Sequence, residues 1–438
     1  MTAEAATRDA ASAHDAQATQ DEAAATQIVT GLAQAARDAA GSLFTAPDDA
    51  LDESLRTMAR RLREAAAPVL MANEEDLRAA SAAGMSGALL DRLRLGAQRL
   101  DAMSAQLIAL AEAPSEPSRL RLRNLPGNLV LEQWHRPVGV VGANFEARPN
   151  VVVDIASQLI KSRNAGVLRT GSAALRSAIS LMEHVIRPSL RDAGLDHRAI
   201  QLVPSPGQQM ARALVRQPAL LPLVILRGSG SSTRSLAAEA AKFGVRTLAH
   251  ADGGSVIYID DSADRQLARK VIEASLDRLG VCNRLNLLLI KDTIWKEMTA
   301  DAQSLLDRLG ITASLPPHDH ALGHEWALEA DREATVTISP VRGPADAARV
   351  ANEETSGLAA AVIAEDHDAV AQFLNSHTGT ATFHNATPRL LDGFKLFSIP
   401  ETGINIDRVP GPRGPVTFRD LHLRQLVIRP ATAPSPNE

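Results

Sequence analysis

Between residues 138 and 363 short apolar runs alternate with stretches of helical periodicity, and this rhythm restricts the possible folds more than any other feature of the chain. The runs Val138-Gly-Val-Val-Gly142, Ala165-Gly-Val-Leu168, Gln201-Leu-Val203, Leu223-Val-Ile-Leu226 and Thr247-Leu-Ala249 recur at intervals of roughly 20 to 35 residues. A strand covered on both faces reads as a continuous apolar run, and two parallel strands need a connection long enough to hold a helix. The pattern predicts parallel βαβ units with right-handed crossovers. A second set begins at Val256-Ile-Tyr-Ile259 and continues through a helix from Ala263 to Leu279 and a strand from Leu285 to Ile290. It goes on to Ala334-Thr-Val-Thr-Ile338 and the run from Ala359 to Ile363. At about 150 residues per domain, 438 residues accommodate two α/β domains.

The flanks read differently. Residues 1–26 are rich in Ala, Thr, Asp, Glu and Gln with almost no large apolar side chain, which predicts a disordered tail. From Ile28 to about Ala111 apolar residues recur at three and four, as in Leu51, Leu55, Met58 and Leu62, or Leu89, Leu93 and Leu95 with Leu100, so this is a helical hairpin region. Residues 120–136 then alternate around Pro126-Gly127-Asn128, which predicts a β-hairpin. Near the end, Leu423-Arg-Gln-Leu-Val-Ile428 reads as an edge strand added to another sheet.

Composition excludes several functions. Hydrophobic residues make up 45% and charged residues 22%, as in a folded globular chain, and a net charge of −5 gives no long-range attraction for nucleic acid or anionic lipid. No apolar run approaches the roughly 20 residues of a membrane helix, and the first 26 residues lack a basic start and apolar stretch. A single cysteine forms no intramolecular disulfide, so the expectation is a cytoplasmic protein acting on a small molecule. No metal-ligand spacing of Cys and His occurs.

The one thiol lies in Leu279-Gly-Val-Cys-Asn283, between a helix and an apolar strand. A loop there exposes a nucleophile, whereas free cysteine elsewhere is commonly a small buried hydrophobe. Leu226-Arg-Gly-Ser-Gly-Ser-Ser232 runs from a strand into a helix, so Gly228, Ser229 and Gly230 form either a phosphate-binding turn or a plain tight turn. Leu168-Arg-Thr-Gly-Ser172 is similar. Its Gly171 and Ser172 carry no adjacent carboxylate for a ribose hydroxyl, while Arg169 suits a 2′-phosphate, favouring NADP over NAD, or is a solvated strand-end cation. Arg148 and Asn150 of Phe145-Glu-Ala-Arg-Pro-Asn-Val151 either orient an anion or, for Asn150, cap the following helix. Arg413, in Pro410-Gly-Pro-Arg-Gly-Pro415, sits in an anion site or an ordinary loop.

Together, Arg136-Pro-Val-Gly-Val-Val-Gly142, Glu146-Ala-Arg-Pro-Asn150, His250-Ala-Asp-Gly253, Gly280-Val-Cys-Asn283 and Arg413-Gly-Pro415 occur in an order that resembles the γ-glutamyl phosphate reductases of the aldehyde dehydrogenase superfamily, over about residues 30–430. The resemblance implies a Rossmann-like NADP-binding domain (27–118 and 137–255), a catalytic α/β domain (256–422) and a β-hairpin oligomerisation arm (119–136 and 423–430) whose late strand adds to a neighbour's sheet in a dimer or tetramer. It implies Cys282 as the nucleophile that forms a thioester from L-glutamyl 5-phosphate, NADPH as reductant, Asn283 with Cys282 at the oxyanion, and Arg148, Asn150 and Arg413 at substrate anions, within proline biosynthesis. Hydrolytic relatives carry Glu-Leu-Gly-Gly where this chain has Ala251-Asp-Gly-Gly254, so the base that activates water is missing, and Asp252 is the nearest acidic substitute. An aldehyde dehydrogenase with another substrate, or a silent paralogue, are the alternatives.

Overall fold

The computed structural model describes residues 3–431 except Ser86, Ala147, Ser229, Ala251, Asp252, Ala330, Val409 and Pro410. It opens with a helix where the composition predicts a tail: α1 runs over Ala3–Thr45. Alanine is the best helix former, and a stripe of small side chains suffices to pack. Ala25, Val29, Ala33, Ala36 and Leu43 are buried, and Glu22 pairs with Arg212 and Arg216. The helices α2 (Asp48–Glu64), α3 (Ala66–Ala82), α4 (Gly87–Leu93) and α5 (Ala97–Glu112) follow. The stripe Leu51, Leu55, Met58 and Leu62 is buried as its spacing predicts, but the second stripe is divided by a break after Leu93, and Leu89 is exposed.

The hairpin forms from β1 (Arg119–Leu125) and β2 (Leu129–Pro137), with Gly127 and Asn128 at positive φ in its turn. Then come β3 (Val140–Phe145), α6 (Asn150–Lys161), β4 (Ala165–Thr170), α7 (Leu175–Leu181), α8 (Arg187–Asp192), β5 (Ile200–Leu202), α9 (Gln208–Leu214), β6 (Leu223–Arg227), α10 (Gly230–Lys242) and β7 (Arg246–His250). Their strands form one five-stranded sheet in the order β5-β4-β3-β6-β7, with every pair parallel. β3 and β6 are neighbours across the point where the order reverses. The loops after these two strands therefore part and leave a crevice.

The second unit contains β8 (Ser255–Ile259), α11 (Arg265–Ala274), β9 (Leu285–Lys291), α12 (Trp295–Arg308), β10 (Thr312–Ser314), β11 (Thr335–Val341), α13 (Pro344–Glu353), β12 (Ala359–Ile363), α14 (His367–Ser376) and β13 (Ala381–His384). Its parallel sheet has the order β10-β11-β9-β8-β12-β13. Successive side chains of β8 and β9 point to opposite faces: Ile257, Ile259, Leu288 and Ile290 join one core, Val256, Tyr258, Leu287 and Leu289 the other. The helix predicted to reach Leu279 stops at Ala274, because Ser275 turns its hydroxyl back to the Val271 carbonyl and accepts from the Leu285 N–H.

After α15 (Gly393–Phe397), β14 (Gly403–Asn405) and β15 (Gly414–Val416) form a small antiparallel pair, and β16 (His422–Pro430) ends the fold. Ile399, Val416, Phe418 and Leu421 belong to the core of the first unit, so this stretch leaves the second sheet well before the boundary expected at 422. Gln158 of α6 secures the return by donating to the Pro400 carbonyl and accepting from the Phe418 N–H. β16 pairs antiparallel with β2 of its own chain and, as the edge strand expected, adds to the hairpin to give the sheet β1-β2-β16.

Candidate active site

The chain passes from the C-terminal end of β7 to the N-terminal end of β8 through residues 251–254. The two parallel sheets consequently meet head to tail, and the loop with Cys282 enters this seam just before β9. The thiol is half-buried and packs on Leu358, Leu391 and Ile404. Gly254 N–H donates to the Cys282 carbonyl at 2.7 Å, and a Cβ on Gly253 would lie 2.8 Å from the Cys282 Cα. Only glycine fits there. The Asn283 amide, buried, donates to the Leu391 carbonyl at 2.9 Å and accepts from Arg389, so its side chain anchors the loop and only its backbone is left for chemistry.

Around the thiol stand cations from three parts of the sequence. Arg148, in the loop after β3, is pushed down to about 10, first by burial and then by the guanidiniums of Arg227, Arg92 and Arg278, with the Cys282 charge opposing. Arg92, on α4, donates to the Gly280 carbonyl at 2.9 Å; burial lowers it too, opposed by Cys282 and Glu325. Arg227 ends β6 directly beside Phe145 of β3. Among the described residues neither Arg148 nor Arg227 has a hydrogen-bond or ion-pair partner. Guanidiniums held close together without anions favour a ligand that brings negative charge. A narrow pocket between the ends of β6 and β7 and the strand β14 is lined by Leu226, Arg227, Leu248, Gly403, Ile404 and Asn405.

Two carboxylates complete the group. Glu325 arrives on the loop before β11 and accepts from the Gly253 N–H at 2.9 Å. Asp154, one turn into α6, accepts from the Asn150 amide at 2.8 Å. Asn150 is thus the first helical residue and bonds along α6 instead of capping it. Burial raises Asp154 to about 6 against the opposing pull of Arg227, the Asn150 amide and Arg148.

Of the residues expected from the sequence, Arg148 and Cys282 feel each other's charge, and Asn150 bonds to Asp154, on which Arg148 also acts. Arg227 was visible as a cation at a strand end. Arg92, Glu325 and Asp154 were missed, since each reads as an ordinary charge beside an apolar stripe. Arg413 is exposed and donates to the Thr378 carbonyl and the Thr380 hydroxyl.

The expected cofactor residues lie at the C-terminal ends of β4 and β6. Gly230 opens α10, and a Cβ on Gly228 would meet the Glu146 carboxyl at 3.0 Å. Ser229 lies outside the described residues, as do Ala251 and Asp252. Gly171 has open space where a Cβ would stand, Ser172 begins the next helical turn, and the buried Thr170 hydroxyl has no protein partner. A helix N-terminus after a parallel strand, an unpaired hydroxyl and open space over the neighbouring strand fit a dinucleotide. Arg169 departs from expectation: its guanidinium is buried and donates to Asn144, Pro206 and Gly207, so it is not a free strand-end cation.

The model of the aldehyde dehydrogenase family matches residues 8–322. A γ-glutamyl phosphate reductase of Novosphingobium aromaticivorans is 32% identical over 416 residues, 92% of this chain and 96% of the relative. One of Clavibacter michiganensis is 33% identical over 413 residues, 91% and 93% of the two chains. In fold, the crystal structure of a γ-glutamyl phosphate reductase from Thermotoga maritima superposes with a TM-score of 0.84 at 24% identity, covering 93% of this chain and 99% of that one. An acetylating aldehyde dehydrogenase from Geobacillus thermoglucosidasius gives 0.68 at 14% identity, with 93% and 97% covered. With a lone thiol at the seam of two parallel sheets, and relatives aligned over nearly its whole length, the chain belongs to the aldehyde dehydrogenase family, in its γ-glutamyl phosphate reductase branch.

Proposed function

We propose that this protein reduces L-glutamyl 5-phosphate to L-glutamate 5-semialdehyde and phosphate with NADPH, in the cytoplasm, on the route to L-proline. The carrying observation is the unpaired Arg148 and Arg227, with Arg92, grouped around the only thiol, a setting suited to an anionic acyl donor. The Cys282 sulfur bonds to the acyl carbon, the bond from that carbon to the phosphate oxygen breaks, and phosphate leaves with the electron pair. The backbone N–H groups of Cys282 and Asn283 are the donors for the oxygen of the tetrahedral intermediate, while the guanidiniums of Arg148 and Arg92 hold the phosphoryl oxygens. A nicotinamide cofactor supplies the hydride.

NADPH is preferred to NADH because the turn Thr170-Gly171-Ser172 offers no carboxylate to a ribose diol, a reading that does not need Arg169 to be free. Reduction is favoured over hydrolysis because Ala251 stands where a water-activating glutamate would. The sheet β1-β2-β16, with apolar side chains such as Leu122, Leu426 and Ile428 exposed, serves as the oligomerisation arm.

The test is the reverse reaction: NADPH formation from glutamate 5-semialdehyde and NADP, with and without phosphate. Turnover should require phosphate and fall by at least about a thousandfold in Cys282→Ala, whose melting temperature stays at the wild-type value. Turnover that ignores phosphate would replace this reading with a hydrolytic dehydrogenase.

A further inference from the structure

Resting on that reading, we infer that Asp154 is the residue that recognises the α-ammonium group of the substrate, and so makes the site specific for an α-amino acid over its des-amino counterpart.

Asp154 lies on the first turns of α6, at the crevice where β3 and β6 part. Its charged neighbours among the described residues are Arg227, from the end of β6, and Arg148, from the loop after β3; Asn150, one turn earlier on the same helix, adds a neutral amide. Although two guanidiniums act on it, no ion pair forms to either, and the Asn150 amide is its one hydrogen-bond partner among the described residues. A carboxylate has about four lone-pair sites, so most of the capacity of this half-buried group is unused by the protein. The raised affinity of this carboxyl for a proton has the same origin: burial without a bound cation.

The chemistry of the substrate supplies the missing partner. The far end of a glutamyl group carries one ammonium and one carboxylate, three carbon–carbon bonds from the acyl carbon that meets Cys282. Arg148 acts on both the Cys282 charge and the Asp154 carboxylate, so it links the reacting end and this anchor electrostatically. Asp154 receives the ammonium, the unpaired Arg227 the neighbouring carboxylate, and Arg148 with Arg92 the phosphoryl group. One negative and several positive groups match a substrate with one cationic and several anionic charges.

The experiment compares KM and kcat for glutamate 5-semialdehyde and for 5-oxopentanoate, which has the same chain without the amino group, using the wild type and Asp154→Asn with NADP and phosphate. In the variant, KM for the amino substrate rises about tenfold or more while KM for 5-oxopentanoate stays within about twofold. Wild-type KM for the amino substrate alone also rises as pH falls below about 6, where Asp154 takes up a proton, and this dependence is absent from the variant. An equal change for both substrates, a lost fold included, or no change for either, overturns the assignment of Asp154 while leaving the reductase reading intact. A wild type that does not turn over glutamate 5-semialdehyde overturns both.

Discussion

The two parallel sheets contribute opposite ends to the same seam, and the difference is one of room. The first offers the C-terminal ends of β3, β4 and β6, where the space over Gly171 is open and Arg148 and Arg227 stand without partners among the described residues. The second offers the N-terminal ends of β8 and β9, and there the backbone is crowded. A Cβ on Gly253 would lie 2.5 Å from a Glu325 carboxylate oxygen, and one on Gly254 would lie 3.0 Å from the Asn286 Cβ. Gly379, just ahead of β13, would bring its Cβ to 2.4 Å from the His377 Nε2. Ligands need space and unsatisfied charge, whereas a nucleophile must be held in one geometry by neighbours that cannot shift. The same βαβ architecture meets both needs because its two ends are used for different purposes.

Filling the crowded end should cost most. Gly253→Ala must displace Glu325 or the Cys282 backbone, so kcat should drop about a hundredfold with KM for the cofactor unchanged, as steady-state kinetics would measure. A drop below about threefold would mean that the glycine contact does not position the thiol.

Protonation probes the same edge. His377 is held down at about 4, first by burial and then by Arg413 and Arg408, against an ordinary 6.5. A depressed value means the folded state keeps the ring neutral where the unfolded chain would protonate it. Its contribution is present above about 6.5 and is lost as pH falls through the folded value near 4. His377→Gln should therefore flatten the acid loss of stability across that window by on the order of 2–3 kcal/mol, read from urea midpoints of the two proteins at pH 7 and pH 4.5. Parallel curves would show that the ring is not held neutral.

The smallest effect belongs to the open end. Gly171→Ala places a methyl in free space at φ −71, so the melting temperature should move by no more than about 2 °C while KM for NADP rises a few-fold. An unchanged KM would place the dinucleotide elsewhere.

How much of this was legible depends on where each signal lies. The runs that predicted β3, β4, β6, β8, β9 and β12 coincide with the strands to within about three residues, because strands covered on both faces must be apolar throughout. β10, β14 and β15 were not visible: each has three residues, and Thr312–Ser314 contains no large apolar side chain. The part of the first helix before Ile28 was hidden because it is made of alanine and polar residues, a composition that hydropathy does not distinguish from a tail. In the site, Cys282 and Arg148 announce themselves by falling at strand ends. Glu325 and Asp154 do not, because a charge on a loop or helix acquires meaning only from what faces it.

The arm has a consequence in time. β2 is synthesised early and β16 last, and the Arg136 and Gln425 side chains that bond across them are 289 positions apart. Until residues 422–430 have left the ribosome, the edge of β2 that β16 will cover lacks its partner. The three-stranded sheet can close only after synthesis has passed β16, so its closure falls among the late steps of folding.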